Sequence, residues 1–308
     1  MAQIKKVDYR RFIEDNFMIL DREEQTPVPF VLNPVQKRYY ENMFGGENPA
    51  YPKQEGVREI ILKARQQGFS SFILALFAVD FLTRPYSISI CISHRKDSTE
   101  LLFKKVRFYI ESYLKKIAKS QGVKYDQEVM RQFFKSDNKG MIENATNHSM
   151  FYIGTAGSKV GGRGGSARNI HFSEAAFYQD TELITAKEII VATAQQVPQG
   201  KGMIFIESTA NGEGNFYHSE WVRAENKESS YKPRFFGWQE FYTPAWVEEK
   251  RKEFPSDTLW KQEYPATAEE AFITSGSPYF DVEKLNEMLN KAPVPLEFGT
   301  IMPDGHFL

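Results

Sequence analysis

Residues 59–76 read EIILKARQQGFSSFILAL, a short apolar run, a polar turn with one glycine, and a longer apolar run. EIILKA (59–64) has the length and composition of a buried strand, whereas FILALFAVDFL (72–82) is too long for a strand and fits a buried helix. A strand feeding a glycine-bearing turn and then a helix is the unit from which parallel sheets are built. The flanking text repeats it. SISICIS (87–93), SMFYIGTA (149–156), NIHFSE (169–174) and MIFIEST (203–209) are further short apolar strands, with helical patterns at 97–119 and 181–197. Together they predict an α/β fold, a mostly parallel central sheet covered by helices on both faces.

Upstream, 7–17 is amphipathic, and PVPFVLNPVQKRYYENMF (27–44) predicts extended chain followed by a helix opening near Pro34, where proline costs nothing. Beyond Asn211 the pattern degrades into polar helices interrupted by Pro255 and Pro265, with one strand at RFFGWQEF (234–241). The expected organisation is a core with its lead-in over 1–211 and a smaller C-terminal subdomain over 212–308. The 308 residues carry 39 basic and 40 acidic side chains, so there is no global basic field, and any contact with nucleic acid has to come from a local patch. A single cysteine, Cys91, excludes an intrachain disulfide and fits a reducing compartment. No run approaches the ~18 apolar residues needed to cross a bilayer, and the charged N-terminus has no signal-peptide core. No membrane role is expected.

Four stretches carry chemistry. A phosphate-binding loop needs a glycine turn after a strand, a cation for the β- and γ-phosphates, and a hydroxyl for Mg2+ at the helix start. Gly68, Ser70 and Ser71 stand where such a loop puts them. The lysine expected after the glycine is replaced by Phe69, which leaves Lys63 or Arg65 to supply the charge. NIHFSE ends in Glu174, and an acid at such a strand end either activates the attacking water or caps the helix that follows. Ser173 stands where an aspartate would help hold Mg2+. The loop GTAGSKVGGRGGSARN (154–169) is glycine-rich and basic through Lys159, Arg163 and Arg168, and Arg163, flanked by glycines, suits delivery as an arginine finger. Finally MIFIEST ends in small polar residues, Ser208, Thr209 and Asn211, suited to sensing a γ-phosphate. Lys104, Lys105, Arg107, Lys115 and Lys116 form a basic helix face that fits either a phosphate backbone or plain solvation.

In order, LNPVQKRYYENM (32–43), KARQQGFSS (63–71), ISHRKDSTELLF (92–103), GGRGGSARNIHFSEAAFY (161–178), ESTANGEG (207–214) and QEYPATAEEAFITSGSPYFD (262–281) resemble the ATPase domain of the large terminase subunit of tailed bacteriophages. That family is the motor that packages DNA into the procapsid. The resemblance implies an ASCE-type P-loop NTPase that hydrolyses ATP with Mg2+ to translocate double-stranded viral DNA. It also implies a place in the host cytoplasm, docked on the procapsid portal. The implied partners are duplex DNA, the portal protein, the small terminase subunit and further copies in a homo-oligomeric ring.

Carried over residue by residue, Gln36 matches the glutamine that recognises adenine. Lys63, Arg65, Gln66, Gln67, Gly68, Phe69, Ser70 and Ser71 match a deviant Walker A segment, its cation displaced to the loop's start and Ser70 meeting the Mg2+ of ATP. Glu174 matches the catalytic glutamate of Walker B. Ser208, Thr209, Ala210 and Asn211 match the segment that couples hydrolysis to movement, and Arg163 lies where some members supply an arginine finger, with Arg65 as the competing cation. Full-length members continue into a nuclease domain. Here the chain stops at Leu308, too soon after YFDVEKLNEMLN (279–290) for a further domain of ~100 residues, so no nuclease activity is expected. Two other readings remain open at this stage. One is half of a superfamily 2 helicase, which would need a second RecA-like domain. The other is a non-catalytic DNA-binding or assembly module on the same fold, to which Phe69 and Ser173 point.

Overall fold

The five apolar runs form strands and the periodic stretches form helices in the computed structural model, which describes residues 7–21, 23–44, 56–138, 140–157 and 165–274, with 288 and 291. The chain divides at Ser275 into two units, and all the elements below lie in the first. It opens with α1 (Tyr9–Asn16), whose first turn is capped by the Asp8 carboxylate. A two-stranded ribbon of β1 (Met18–Leu20) and β2 (Pro27–Pro29) leads to α2 (Pro34–Phe44), which starts at its proline as expected. Then come β3 (Val57–Lys63), α3 (Phe69–Thr83), β4 (Ile88–Ser93) and α4 (Lys96–Ser120). A short helix α5 (Gln127–Phe133) precedes an antiparallel pair, β5 (Phe134–Asn138) and β6 (Met141–Asn144). After β7 (Met150–Thr155) and β8 (Asn169–Ser173), α6 (Ala186–Ala194) begins in a Thr185/Glu188 capping box and leads to β9 (Met203–Ser208). The rest comprises α7 (Phe216–Glu225), β10 (Lys232–Phe236), α8 (Pro244–Arg251), α9 (Asp257–Glu263) and α10 (Ala268–Thr274). The strand expected to run to residue 241 ends at Phe236, because Gly237 turns the chain into a single 3-10 turn, Trp238–Glu240.

Eight strands form one sheet in the order β10-β3-β9-β8-β4-β7-β6-β5. Neighbours from β10 to β7 are parallel, and β6 and β5 are added antiparallel at the far edge. Parallel strands need helices on both faces, and both are present. On one face Ile61, Cys91 and Phe205 pack with α1 to α4; on the other Ile60, Leu62, Ile90, Phe172 and Ile206 pack with α6, α7 and α10. Helix α3 is apolar on every side because it is buried on every side, and its one acid, Asp80, is satisfied by Tyr9 Oη (2.6 Å), Arg84 Nε (3.2 Å), Arg168 Nε (2.9 Å) and Asn169 Nδ2 (2.8 Å). Arg168, expected in a basic phosphate-contacting loop, is thus bound to the core. No helix among the described residues is long and apolar enough to cross a membrane.

The order of strands sets the site. β9 stands between the strand that feeds the glycine turn and the strand that ends in Glu174, so three carboxyl ends open side by side, where α/β sheets bind ligands.

Candidate active site

The turn 64–68 leaves β3 with Ala64 N and Arg65 N donating to Phe236 O and Glu263 O, both at 2.8 Å, so it is anchored by the end of β10 and the end of α9. Gln66 (φ 66°) and Gly68 (φ 78°) are left-handed, the kind of turn that gathers backbone amides into an anion-binding concavity at the start of α3. Phe69, where a phosphate-binding lysine would stand, is a core anchor: its ring lies 4.3 Å from that of Phe236 and 5.5 Å from that of Tyr39. Gln36 is buried beside the turn. Its Nε2 donates to Gly68 O at 3.0 Å and its Oε1 accepts from Asn33 N at 3.1 Å, so it braces the loop. Gln67 is buried with its Nε2 on Gly237 O at 2.8 Å. A Cβ at Gly68 would stand 2.7 Å from Gln36 Nε2, on a left-handed backbone. Gly68→Ala is therefore expected to cost at least the ~1–2 kcal/mol of that backbone and to weaken anion binding at the turn. A fall in urea midpoint at unchanged slope would show the first, and an unchanged midpoint would refute it.

Behind the turn lies a charged cluster. Lys63 Nζ sits 3.1 Å from Glu174 Oε1 and 3.0 Å from Glu207 Oε1, with Lys63 and Glu207 buried and Glu174 about a quarter exposed. Burial alone would lower the Lys63 ammonium, but Glu174 and Glu207 outweigh it and hold it above the ordinary lysine range. Burial would likewise raise the Glu207 carboxyl, yet Lys63 and His171 hold it down, at about 2. Glu207 also accepts the Ser70 hydroxyl at 2.9 and 3.1 Å and pairs with His171 Nε2 at 2.9 Å, while His171 Nδ1 meets Cys91 Sγ at 3.6 Å. Cys91 is buried core, and burial pushes its thiol up.

Glu174 is left-handed (φ 54°, ψ 49°) at the head of the 3-10 turn Ala175–Phe177 and makes no cap hydrogen bond there, so the capping role is excluded. Its Oε2 accepts instead from Thr209 N at 3.2 Å and Ser208 Oγ at 3.4 Å. Ala176 N donates to Ser208 Oγ at 3.2 Å and Asn211 Nδ2 to Ala176 O at 3.1 Å. Ala210 is buried. The segment 208–211 and the acid-bearing turn are thus laced together.

A cleft of about 830 Å³ opens at the turn, its walls including Gln36, Lys63, Gly68, Ser70, Ser71, Lys105 and Glu174, a volume suited to a nucleotide. Its outer wall carries Phe241, Tyr242 and Trp246, the last two stacked at 3.9 Å between centroids, with Tyr242 Oη donating to Arg65 O at 2.8 Å. Arg65 is mostly exposed, and its Nε pairs with Glu263 at 2.9 Å. Arg163 and Lys159 lie outside the described residues. Of the basic face of α4, Arg107 pairs with Glu111 at 3.9 Å, Lys115 stands over the Tyr125 ring, and Lys105 reaches the cleft, donating to Ser71 Oγ at 2.9 Å.

Sequence reading thus placed Lys63, the turn, Glu174 and 208–211 together, and it missed two groups. Glu207 was legible only as one acid within an apolar strand, and Lys105 only as one lysine among several on a helix face.

No protein-family model matches the chain, and no curated protein matches it. Among solved structures it is similar to the large terminase of bacteriophage HK97, with a TM-score of 0.53 and 15% identity over 95% of this chain and 53% of that one. It is also similar to the large terminase of a thermophilic bacteriophage in complex with ADP, with a TM-score of 0.50 and 10% identity over 77% of this chain and 53% of that one. The chain spans about half the length of each. Its α/β fold, an eight-stranded, mostly parallel sheet between helices, is the fold of the matched half of these phage large terminases.

Proposed function

We propose that the chain is a Mg2+-dependent ATPase of the terminase type, and that its hydrolysis moves duplex viral DNA. The observation that carries this reading is the meeting, at one cleft, of a glycine turn at a helix start with an acid that is held by a lysine and by the coupling segment. In this reading ATP phosphates lie over the turn at 64–68, where the backbone amides, Ser71 and Lys105 bind them. Gln36 shapes the adenine end by bracing the loop. At the start of α3 Ser70, whose hydroxyl donates its hydrogen bond to a buried carboxylate, keeps lone pairs for a hard cation. Among the described residues no cluster of three or more His, Cys, Asp and Glu forms a cage of its own, which fits a cation that arrives with the phosphates. Mg2+ bound there would neutralise charge on the β- and γ-phosphates.

Glu174 is the general base. Water attacks the γ-phosphorus, the bond to the ADP oxygen breaks, and the water proton passes to Glu174. Lys63 pairs with Glu174 until a γ-phosphate draws its ammonium away. Because Glu174 also holds Thr209 N and Ser208 Oγ, loss of the γ-phosphate is passed to 208–211 through Glu174. The partners proposed with this activity are duplex DNA, a portal, a small terminase subunit and further copies of the chain in a ring.

Lys105 gives a separate test. Phe69 is buried and Arg65 is held by Glu263, so Lys105 is the cation that, beside Lys63, can meet phosphate, at Ser71. Lys105→Ala is expected to weaken ATP binding about tenfold or more, with Lys104→Ala as the control on the same helix. Equal loss in both variants, or none in either, would remove Lys105 from the site.

A further inference from the structure

The strand bearing Glu174 lacks the carboxylate that a site of this kind carries one residue earlier; Ser173 is there. Ser173 is paired in register with Glu207 on the neighbouring strand β9, so Glu207 stands at the same level of the sheet, one strand nearer the phosphate loop. Its two carboxylate oxygens take the Ser70 hydroxyl at 2.9 and 3.1 Å, and Lys63 at 3.0 Å and His171 at 2.9 Å keep it in place. A hydroxyl that donates into a fixed carboxylate turns its lone pairs the other way, toward the phosphate cleft, and groups that orient a metal ligand in this manner tune the metal it holds.

We propose that Glu207 does the work of the missing aspartate, as a positioning residue that aims the Ser70 hydroxyl at the divalent cation accompanying ATP. The carboxylate has moved one strand across the sheet without changing level. This rests on the nucleotide reading above. A plainer role, counter-charge to Lys63, makes a different prediction, since a counter-charge needs only to be anionic and need not touch Ser70.

The test is equilibrium binding of a fluorescent ATP analogue to the full chain, titrated with Mg2+, for four proteins. Against the unaltered chain, Glu207→Gln is expected to raise the Mg2+ concentration at half-saturation about 10- to 100-fold, with binding in chelator little changed. Glu207→Asp retains the charge but withdraws it from Ser70, and it should show a smaller shift in the same direction; it also stands in should Glu207→Gln fail to fold. Ser173→Asp added to Glu207→Gln restores a carboxylate at the register-paired position and should bring half-saturation back. Unshifted Mg2+ dependence in both single variants, or a shift in Glu207→Gln that Ser173→Asp leaves uncorrected and Glu207→Asp does not share, overturns the proposal and leaves nucleotide binding standing. Failure of the unaltered chain to bind the analogue at any Mg2+ concentration overturns both.

Discussion

Lys63→Met is expected to be the most damaging single substitution in the chain, removing about 3–5 kcal/mol of stability together with nucleotide binding. Lys63 is the shared cation of two acids, one of them wholly buried, with Nζ at 3.1 Å from Glu174 and 3.0 Å from Glu207. Methionine matches its length but leaves the buried Glu207 charge with only the His171 ring and the Ser70 hydroxyl beside it. The pH dependence gives this loss a signature. In the unaltered chain the Glu207 carboxyl lies below its unfolded value, so its contribution is present above the ordinary carboxylate range and is lost as pH falls toward about 2. The raised Lys63 ammonium contributes below the ordinary lysine range and loses that contribution only as pH rises through its raised value. In Lys63→Met burial should instead raise the Glu207 carboxyl, so the folded variant takes up a proton more readily than its unfolded chain. Its deficit against the unaltered chain should therefore shrink as pH falls from neutrality. Urea unfolding at several pH values checks both size and slope, and a deficit that is small at pH 7 or widens in acid would contradict the cluster described here. Adding Glu207→Gln should recover part of the stability but not the Mg2+ dependence.

Glu174→Gln should separate binding from chemistry. The glutamine retains the size of the side chain and can still accept from Thr209 N, now 3.2 Å from Glu174 Oε2, while it cannot take a proton from water. Positioned general bases contribute about 10²–10⁴ in rate, and hydrolysis should fall by that factor with ATP affinity held or improved, because one of the two carboxylates that compete with the γ-phosphate for Lys63 is gone. A variant that hydrolyses as fast as the unaltered chain would reassign the base. Equal loss of binding and hydrolysis would make Glu174 a support of the fold.

How far the sequence carried the account depended on whether a signal was local. The β3 turn and α3 were readable because apolar run length, a glycine and two hydroxyls lie within eighteen residues. Glu174 was readable as a strand-end acid, and the left-handed backbone without a cap bond removes the capping role. Glu207 was not, because its meaning comes from the pairing of β8 with β9, which sets it beside Ser173 across thirty-odd residues of intervening chain. The available clue was a carboxylate inside MIFIES, a strand with no wet face. Lys105 needed the packing of α4 on α3, and by periodicity it looks like any solvated lysine. The β5–β6 hairpin was passed over because the polar stretch from residue 135 gives an edge strand no alternating pattern to show. Gln36 was read as a base-recognition residue from its match; the structure places it at the cleft, with its amide engaged by the loop carbonyls.

Steady-state release of phosphate from Mg2+-ATP by the purified chain shows whether the cleft at the carboxyl ends of β3, β9 and β8 hydrolyses ATP. The measurement is made over a range of protein concentrations, with and without duplex DNA, beside Glu174→Gln. Release by the unaltered chain, raised by duplex DNA and lowered about 10²–10⁴-fold in Glu174→Gln, is expected; no release by the unaltered chain at any concentration, with DNA or without it, would rule out ATP hydrolysis at this cleft.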